Sequence, residues 1–259
     1  MPSSEPWVLA IGGTDSSGGA GLDADRDAAD LRLEVVVTAA TEQSDEQVFA
    51  LGERDPDTWL FEALSSMAVD NPGAIKFGLL PGAEHVRAAL SVIDQVRFED
   101  PSLPIVVDPV LASSSGGAFL APSDAALLLT RQVILTPNLP EAAALMGAPL
   151  ALLQADHGAR LAAAATLLSR GLAAVVLKGG HASEERCSDL LLAQGQAPVW
   201  HRHPRQAGAG IRGSGCRFAT ALACQLARGA ALPQALPAAA ALVAARIADQ
   251  SARVADKRQ

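Results

Sequence analysis

Short runs of apolar, mostly β-branched residues alternate along the chain with longer Ala/Leu-rich stretches of helical periodicity. The runs at 7–11, 35–38, 74–77, 105–107, 133–135 and 174–177 have the length and character of buried strands. Between them, 22–31, 56–69, 83–96, 123–130, 140–146 and 155–169 carry helical patterns. This alternation predicts an α/β fold, a central and largely parallel sheet flanked by helices on both faces. Segments 189–193 and 198–203 predict an edge hairpin with its turn at 194–196, and two Ala-rich helices near 214–228 and 232–249 close the chain. No repeat, linker or charge block is visible, so a single domain over residues 1–259 is expected.

The polar, Gly-rich segments recur at one kind of place. GGTDSSGGAG (12–21), TAATEQS (38–44), DPV (108–110), TPNLPE (136–141) and KGGH (178–181) each follow a predicted strand. Strand C-termini form the edge at which open α/β sheets place ligands. Gly, Asp, Ser and Asn are also ordinary turn residues, so one such loop says little and five on one edge say more.

Composition narrows the partners. Twenty Lys and Arg against 28 Asp and Glu give a net charge of −8, which argues against a nucleic-acid or anionic-membrane partner. Tyr is absent and aromatics are 3%, so no base-stacking platform is expected. The N-terminus lacks a basic stretch before its apolar run, and the longest apolar stretch (235–245) is too short to span a bilayer. The three cysteines, 187, 216 and 224, have no CxxC spacing, so neither a disulfide framework nor a zinc site is indicated and a cytoplasmic protein is expected.

Several familiar motifs fail on inspection. Residues 13–18 have the glycine spacing of a phosphate-binding Walker loop, but Gly19 and Ala20 stand where its Lys and Ser/Thr belong. Residues 208–213 match GxGxxG, yet no acid follows before Asp249 to hold a ribose. No serine sits in a GxSxG elbow, and His201 with His203 read better as a polar edge strand than as a metal site.

A glycine-rich helix start survives. Residues 211–216 (IRGSGC) run directly into an Ala/Leu helix without a breaker before Gly229. First-turn N–H groups and the positive dipole end welcome an anion, and the glycines let a ligand approach the backbone. Cys216 lies at this first turn, where a thiol pKa is expected to fall, whereas Cys224 reads as a small buried hydrophobe. An activatable base beside an anion cradle suits phosphoryl transfer to an alcohol. Lys178, one of only three lysines, follows an apolar strand and precedes two glycines, where its ammonium can meet phosphate oxygens. Asp108 and Glu141, at neighbouring strand ends, are suited to hydrated Mg²⁺. Asp25, with Asp23 and Asp27, fits an N-terminal helix position that the dipole stabilises.

GTDSSGGAG (13–21), VVDPV (106–110), TPNLPEA (136–142), KGGH (178–181) and GSGC (213–216), in this order and spacing, resemble the hydroxymethylpyrimidine/phosphomethylpyrimidine kinase family of thiamine biosynthesis, within the ribokinase-like superfamily. The resemblance runs from Val8 to about Ala245. It implies a ribokinase-like α/β domain, usually a homodimer, that moves the ATP γ-phosphate to the 5-hydroxymethyl group of a 4-amino-2-methylpyrimidine and then to its monophosphate. By match, Asp25 and Gln43 fall where the family holds the pyrimidine, Asn138, Lys178 and Gly180 in the ATP segments, and Asp108 and Glu141 at the magnesium. Gly213, Ser214, Gly215 and Cys216 fall on the anion hole, Cys216 in the place of the base.

The chain departs from that pattern in places. Arg212 stands where a histidine often precedes GSGC, Ser114 where a lysine is usual, EQS (42–44) for AQN, and DADRD (23–27) for QADLK. Pyridoxal kinases of the same superfamily are the enzymatic alternative, and a non-catalytic pyrimidine-sensing module is the alternative of another class. Segments 113–117 and 183–188, small and polar without apolar periodicity, are lid candidates.

Overall fold

The computed structural model describes residues 5–43, 48–113, 117–206 and 211–256. In chain order the elements are β1 (Trp7–Asp15), α1 (Gly21–Ala28), β2 (Arg32–Gln43), β3 (Val48–Glu53), α2 (Pro56–Val69), β4 (Ala74–Phe77), α3 (Gly82–Glu99) and β5 (Ile105–Val107). They continue with α4 (Pro122–Ala125), a 3-10 turn (Ala126–Thr130), β6 (Ile134–Leu135), α5 (Leu139–Met146), α6 (Leu150–Ala155), α7 (His157–Leu168), β7 (Ala174–Leu177), β8 (Arg186–Ala193), β9 (Val199–Pro204), α8 (Ser214–Ala227) and α9 (Leu232–Asp256). Among the described residues nine strands make one sheet, in the order β3-β2-β1-β4-β5-β6-β7-β8-β9. Pairing is parallel from β2 through β7 and antiparallel at both margins, β2 with β3, β7 with β8 and β8 with β9. The α/β fold with a mostly parallel sheet is thus as the alternating pattern predicts.

The two-residue period of the strands sorts their side chains between two cores. Trp7, Leu9 and Ile11 of β1, Ile75 and Phe77 of β4, and Ile105 and Val107 of β5 pack with α2, α3, α5 and α7. Val8, Ala74 and Val106 point the other way, into a core closed by α8 and α9. No described helix is long and apolar enough to cross a membrane.

Local chemistry explains most element ends. Asp55 accepts the Thr58 N–H at 2.8 Å ahead of Pro56, which starts α2. Asp156 accepts the Gly158 N–H at 2.7 Å and so splits the expected single helix 155–169 into α6 and α7. Two other expectations are corrected. Residues 12–15 and 38–43 are not loops, because β1 carries on through a register shift at Gly12/Gly13 and β2 stays paired on both sides. The second partner of β2 there is β3, a strand the apolar pattern does not announce. Of the lid candidates, 183–188 is fixed: Glu184 bonds Arg160 at 2.6 Å and His157 at 2.9 Å, and Arg186–Ser188 already belong to β8. In the other, Ser113 and Gly117 bond each other across 2.8 Å, and residues 114–116, with the departure at Ser114, lie outside the described residues. So do the glycines at 208 and 210.

Candidate active site

The direction of chain winding reverses at β1, whose neighbours are β2 on one side and β4 on the other. Such a reversal leaves a crevice beyond the strand C-termini. Asp15 ends β1, Asp108 follows β5, Asn138 and Glu141 open α5 after β6, and Lys178 follows β7. From the far side α8 enters the crevice N-terminus first.

That entry depends on Gly213, whose φ is 69° and whose added Cβ would lie 2.6 Å from the Gly19 carbonyl oxygen. The i→i−4 ladder of α8 begins with the Arg217 N–H bonding the Gly213 carbonyl at 2.9 Å. The Gly215 and Cys216 N–H groups precede it, at the positive end of the helix dipole, an arrangement that can receive an anion. A Cβ on Gly215 would sit 3.2 Å from Lys178 Nζ and 3.3 Å from Asp108 Oδ2, so the helix start comes close to that pair. Lys178 Nζ donates to Asp108 Oδ1 at 2.9 Å. Burial works against the Lys178 charge, but Asp108 and Glu141 outweigh it and hold the ammonium above its ordinary pKa.

The expectation of a lowered thiol pKa at Cys216 is overturned. Burial pushes it up to about 11, and the charges of Asp25 and Asp108 add to that. The Lys76 ammonium and the Gly21 N–H pull the other way without prevailing. Cys224 is fully buried in the second core and is likewise pushed up to about 11, as a structural thiol would be.

Asn138 and Glu141 form a reciprocal cap on α5. Asn138 Oδ1 accepts the Glu141 N–H at 2.8 Å, and Glu141 Oε2 accepts the Asn138 N–H at 2.7 Å. Burial raises the Glu141 carboxyl well above the carboxylate range, against the pull of Lys178. The donor set fits a magnesium ion. Asp108 and Glu141 are each engaged through one oxygen, to Lys178 and to the Asn138 N–H, and two carboxylates of this kind suit an ion that keeps a mostly aqueous shell. Among the described residues no group of three or more His, Cys, Asp or Glu is placed to hold a metal ion by itself.

Asp25 is a correction. It is completely buried and lines neither part of the cleft, with Oδ2 taken by Lys76 Nζ at 2.7 Å and Oδ1 by the Thr220 hydroxyl at 2.8 Å. A carboxylate so held has no edge to offer a pyrimidine. The Gln43 backbone pairs with Val48 near the same end of the sheet, and its side chain lies outside the described residues. Gly180 lines the cleft, and its carbonyl accepts from Arg205 at 2.7 Å. The sequence reading missed two partners. One is Lys76, apolar by context in AIKF. The other is Asp15, which bonds Arg212 at 2.5 Å and also accepts the N–H groups of Ser17 and Ala20.

The cleft has two lobes. One, of about 450 Å³, is walled by Asp15, Thr41, Lys76, Leu79, Val110 and Cys216. The other, of about 500 Å³, runs between the β8–β9 hairpin and α9, past Gly180, His203, Phe218 and Val243. Asn138, Lys178, His181, Arg212, Ser214 and Gly215 border both. The lobes therefore meet at the start of α8 and at Lys178.

The chain matches the family model described as "Phosphomethylpyrimidine kinase" over residues 15–258. It is 33% identical over 244 residues to the hydroxymethylpyrimidine/phosphomethylpyrimidine kinase of Bacillus subtilis (strain 168), covering 91% of this chain and 87% of that one. It is 34% identical over 247 residues to the enzyme of the same name from Streptomyces coelicolor, covering 92% and 87%. Among solved structures, the pyridoxal kinase from Staphylococcus aureus in complex with AMP-PCP and pyridoxal superposes with a TM-score of 0.78 at 26% identity, over 93% of this chain and 87% of that one.

Proposed function

The chain belongs to the phosphomethylpyrimidine kinase family, and we propose that it moves the γ-phosphoryl group of ATP to the 5-hydroxymethyl group of 4-amino-5-hydroxymethyl-2-methylpyrimidine and to the resulting monophosphate, in thiamine biosynthesis. The observation that carries this reading is the pair of lobes meeting at one cationic, N–H-lined point. A nucleotide in the lobe past Gly180 and an alcohol in the lobe beside Cys216 would bring donor and acceptor together where Lys178 and the Gly215 and Cys216 N–H groups face the transferring group. Phosphoryl transfer needs chiefly such positioning and charge stabilisation.

In this reading Lys178 meets the charge that develops on the bridging phosphate oxygen. The helix start receives the equatorial oxygens, and Cys216 takes the proton that the acceptor hydroxyl loses as its oxygen bonds phosphorus and ADP departs. Asp108 and Glu141 would hold Mg²⁺, which supplies neutralisation of phosphate charge. The pyrimidine assignment is supported by the names of the curated relatives at 33% and 34% identity. The Staphylococcus aureus structure, which holds pyridoxal, supports pyridoxal as the second acceptor to try. The whole chain, 1–259, would act as one ribokinase-like domain, as a homodimer in the cytoplasm, as the family resemblance implies.

The test is ADP formation by the purified protein with Mg-ATP and each of hydroxymethylpyrimidine, its monophosphate and pyridoxal. Turnover of the pyrimidines above that of pyridoxal is expected. Pyridoxal turnover alone would replace the substrate assignment, and no turnover above the acceptor-free control would remove the kinase reading.

A further inference from the structure

Lys76 sits in the middle of a fully buried parallel strand and is 1% exposed. With Ala74 it occupies the face of β4 turned toward α1 and α8, opposite Ile75 and Phe77. There its Nζ donates to Asp25 Oδ2 at 2.7 Å, and Thr220 Oγ1 donates to Asp25 Oδ1 at 2.8 Å. Gly78 provides the room, since a Cβ there would lie 2.7 Å from Nζ. Thr220 follows Cys216 by one turn of α8, on the same helix face. Lys76 and Cys216 both wall the first lobe.

This arrangement is weak evidence for a stabilising role. A buried ion pair is often no better than apolar residues of the same volume. What the pair does provide is a fixed dipole, with its carboxylate anchored from α1 and α8 and its ammonium at the lobe that holds the thiol. We infer that Lys76, anchored by Asp25 and Thr220, is a positioning residue for Cys216: its charge stabilises the thiolate and so sets the fraction of Cys216 able to take the acceptor's proton. The inference rests on the phosphoryl-transfer reading above. The other charged groups around the thiol are Asp25 on α1, Asp108 after β5 and Lys178 after β7. The two carboxylates oppose the thiolate, and Lys76 is the cation that favours it most.

The test measures the thiol without nucleotide or acceptor. Iodoacetamide labelling of Cys216 is followed by peptide mass spectrometry at pH 8.5, where the rate is proportional to the thiolate fraction. Lys76→Met/Asp25→Asn replaces the ion pair by neutral groups of similar size and leaves no buried charge unpaired. Lys76→Gln, which keeps a donor for Asp25, is the second neutral variant should the first fail to fold, and Lys76→Arg restores the charge. Lys76→Gln is expected to label Cys216 about tenfold more slowly, with Cys187 and Cys224 unaffected and Lys76→Arg within threefold of wild type; the double variant, which also loses the opposing Asp25 charge, should be slowed by less but remain slower than wild type. In turnover, kcat should fall with the KM for ATP unchanged. A folded Lys76→Gln that labels within threefold of wild type, or a double variant that labels as fast as wild type or faster, overturns the inference. A labelling effect without turnover of any acceptor shows that Lys76 sets the state of the thiol but removes the kinase reading, and with it the proton-transfer role of Cys216.

Discussion

Lys178 and Asp108, 70 residues apart in sequence, meet at 2.9 Å directly against the first turn of α8. Their contact fixes an ammonium at the junction of the two lobes, where transferring phosphate would pass. Lys178→Met should lower kcat about 10²–10³-fold, the usual loss when one preorganised transition-state donor is removed. KM for the acceptor should change far less, because the cation matters most as charge moves along the phosphate chain. Steady-state kinetics with both substrates varied checks this, and a raised acceptor KM with unchanged kcat would place Lys178 elsewhere.

The two cysteines of α8 should separate cleanly. Cys216 lines the cleft and Cys224, fully buried, faces the core behind the sheet. Cys216→Ala should cut kcat about 10²–10⁴-fold with an unchanged melting temperature, as loss of a positioned base does. Cys224→Ala should leave kcat near wild type and cost about 1 kcal/mol of stability. Because burial pushes the Cys216 thiol up to about 11, wild-type kcat should climb between pH 7 and pH 10 as the base form grows. That slope should vanish in Cys216→Ala. Equal, small effects of both substitutions on kcat would refute the assignment.

What the sequence made legible follows the range of the interactions involved. Asp108, Asn138, Glu141, Lys178 and the 213–216 turn were readable because each belongs to a short loop whose composition is out of keeping with the strand before it. The Lys76–Asp25 pair was not. Lys76 lies inside an apolar strand, Asp25 looks like any acid in an early helical turn, and 51 residues separate them. The same holds for Asp15 and Arg212, 197 residues apart. The pKa of Cys216 was misjudged for a related reason. A helix start is a local signal that lowers a thiol, whereas the burial that raises it is assembled from α1, β4 and α8.

His203 offers a pH-dependent test of the lobe between the β8–β9 hairpin and α9. Its Nε2 lies 3.2 Å from Asp189 Oδ2, and Asp189 Oδ1 is held by the Gly179 N–H at 2.7 Å. The hydrogen bond that its ring N–H donates to Asp189 raises the imidazole pKa against the effect of burial. A raised folded-state pKa means that the pair's stabilisation is complete below the unfolded value of about 6.5 and is lost as pH rises through the folded one. The melting-temperature gap between wild type and His203→Gln should therefore be larger at pH 5.5 than at pH 8.5. A gap that stays constant or widens toward alkaline pH would contradict the pairing.

Arg212 is expected to discriminate between the two proposed acceptors. A monophosphate brings about two negative charges into the lobe beside Cys216, and each needs donors nearby. Asp15 borders that lobe and is 2% exposed, and its carboxylate is tied to Arg212 at 2.5 Å and to the N–H groups of Ser17 and Ala20. While Arg212 is present, the carboxylate is compensated and the guanidinium borders both lobes. Arg212→Ala removes the cation and also leaves Asp15 to repel an anionic acceptor. Charge-assisted hydrogen bonds contribute roughly 1.5–3 kcal/mol, and 1.4 kcal/mol is about tenfold. The kcat/KM for the monophosphate should thus fall about 10–100-fold further than that for the free alcohol. Wild type should use the alcohol more efficiently from the start, since Ser114 stands where the family often has a lysine. The kcat/KM values of both acceptors in wild type, Arg212→Ala and Arg212→Lys measure this directly. Lys restores the charge without the fork, so it should recover part of the monophosphate reaction. Equal losses for both acceptors would show that Arg212 holds the 13–20 segment in place and does not read the acceptor's phosphate.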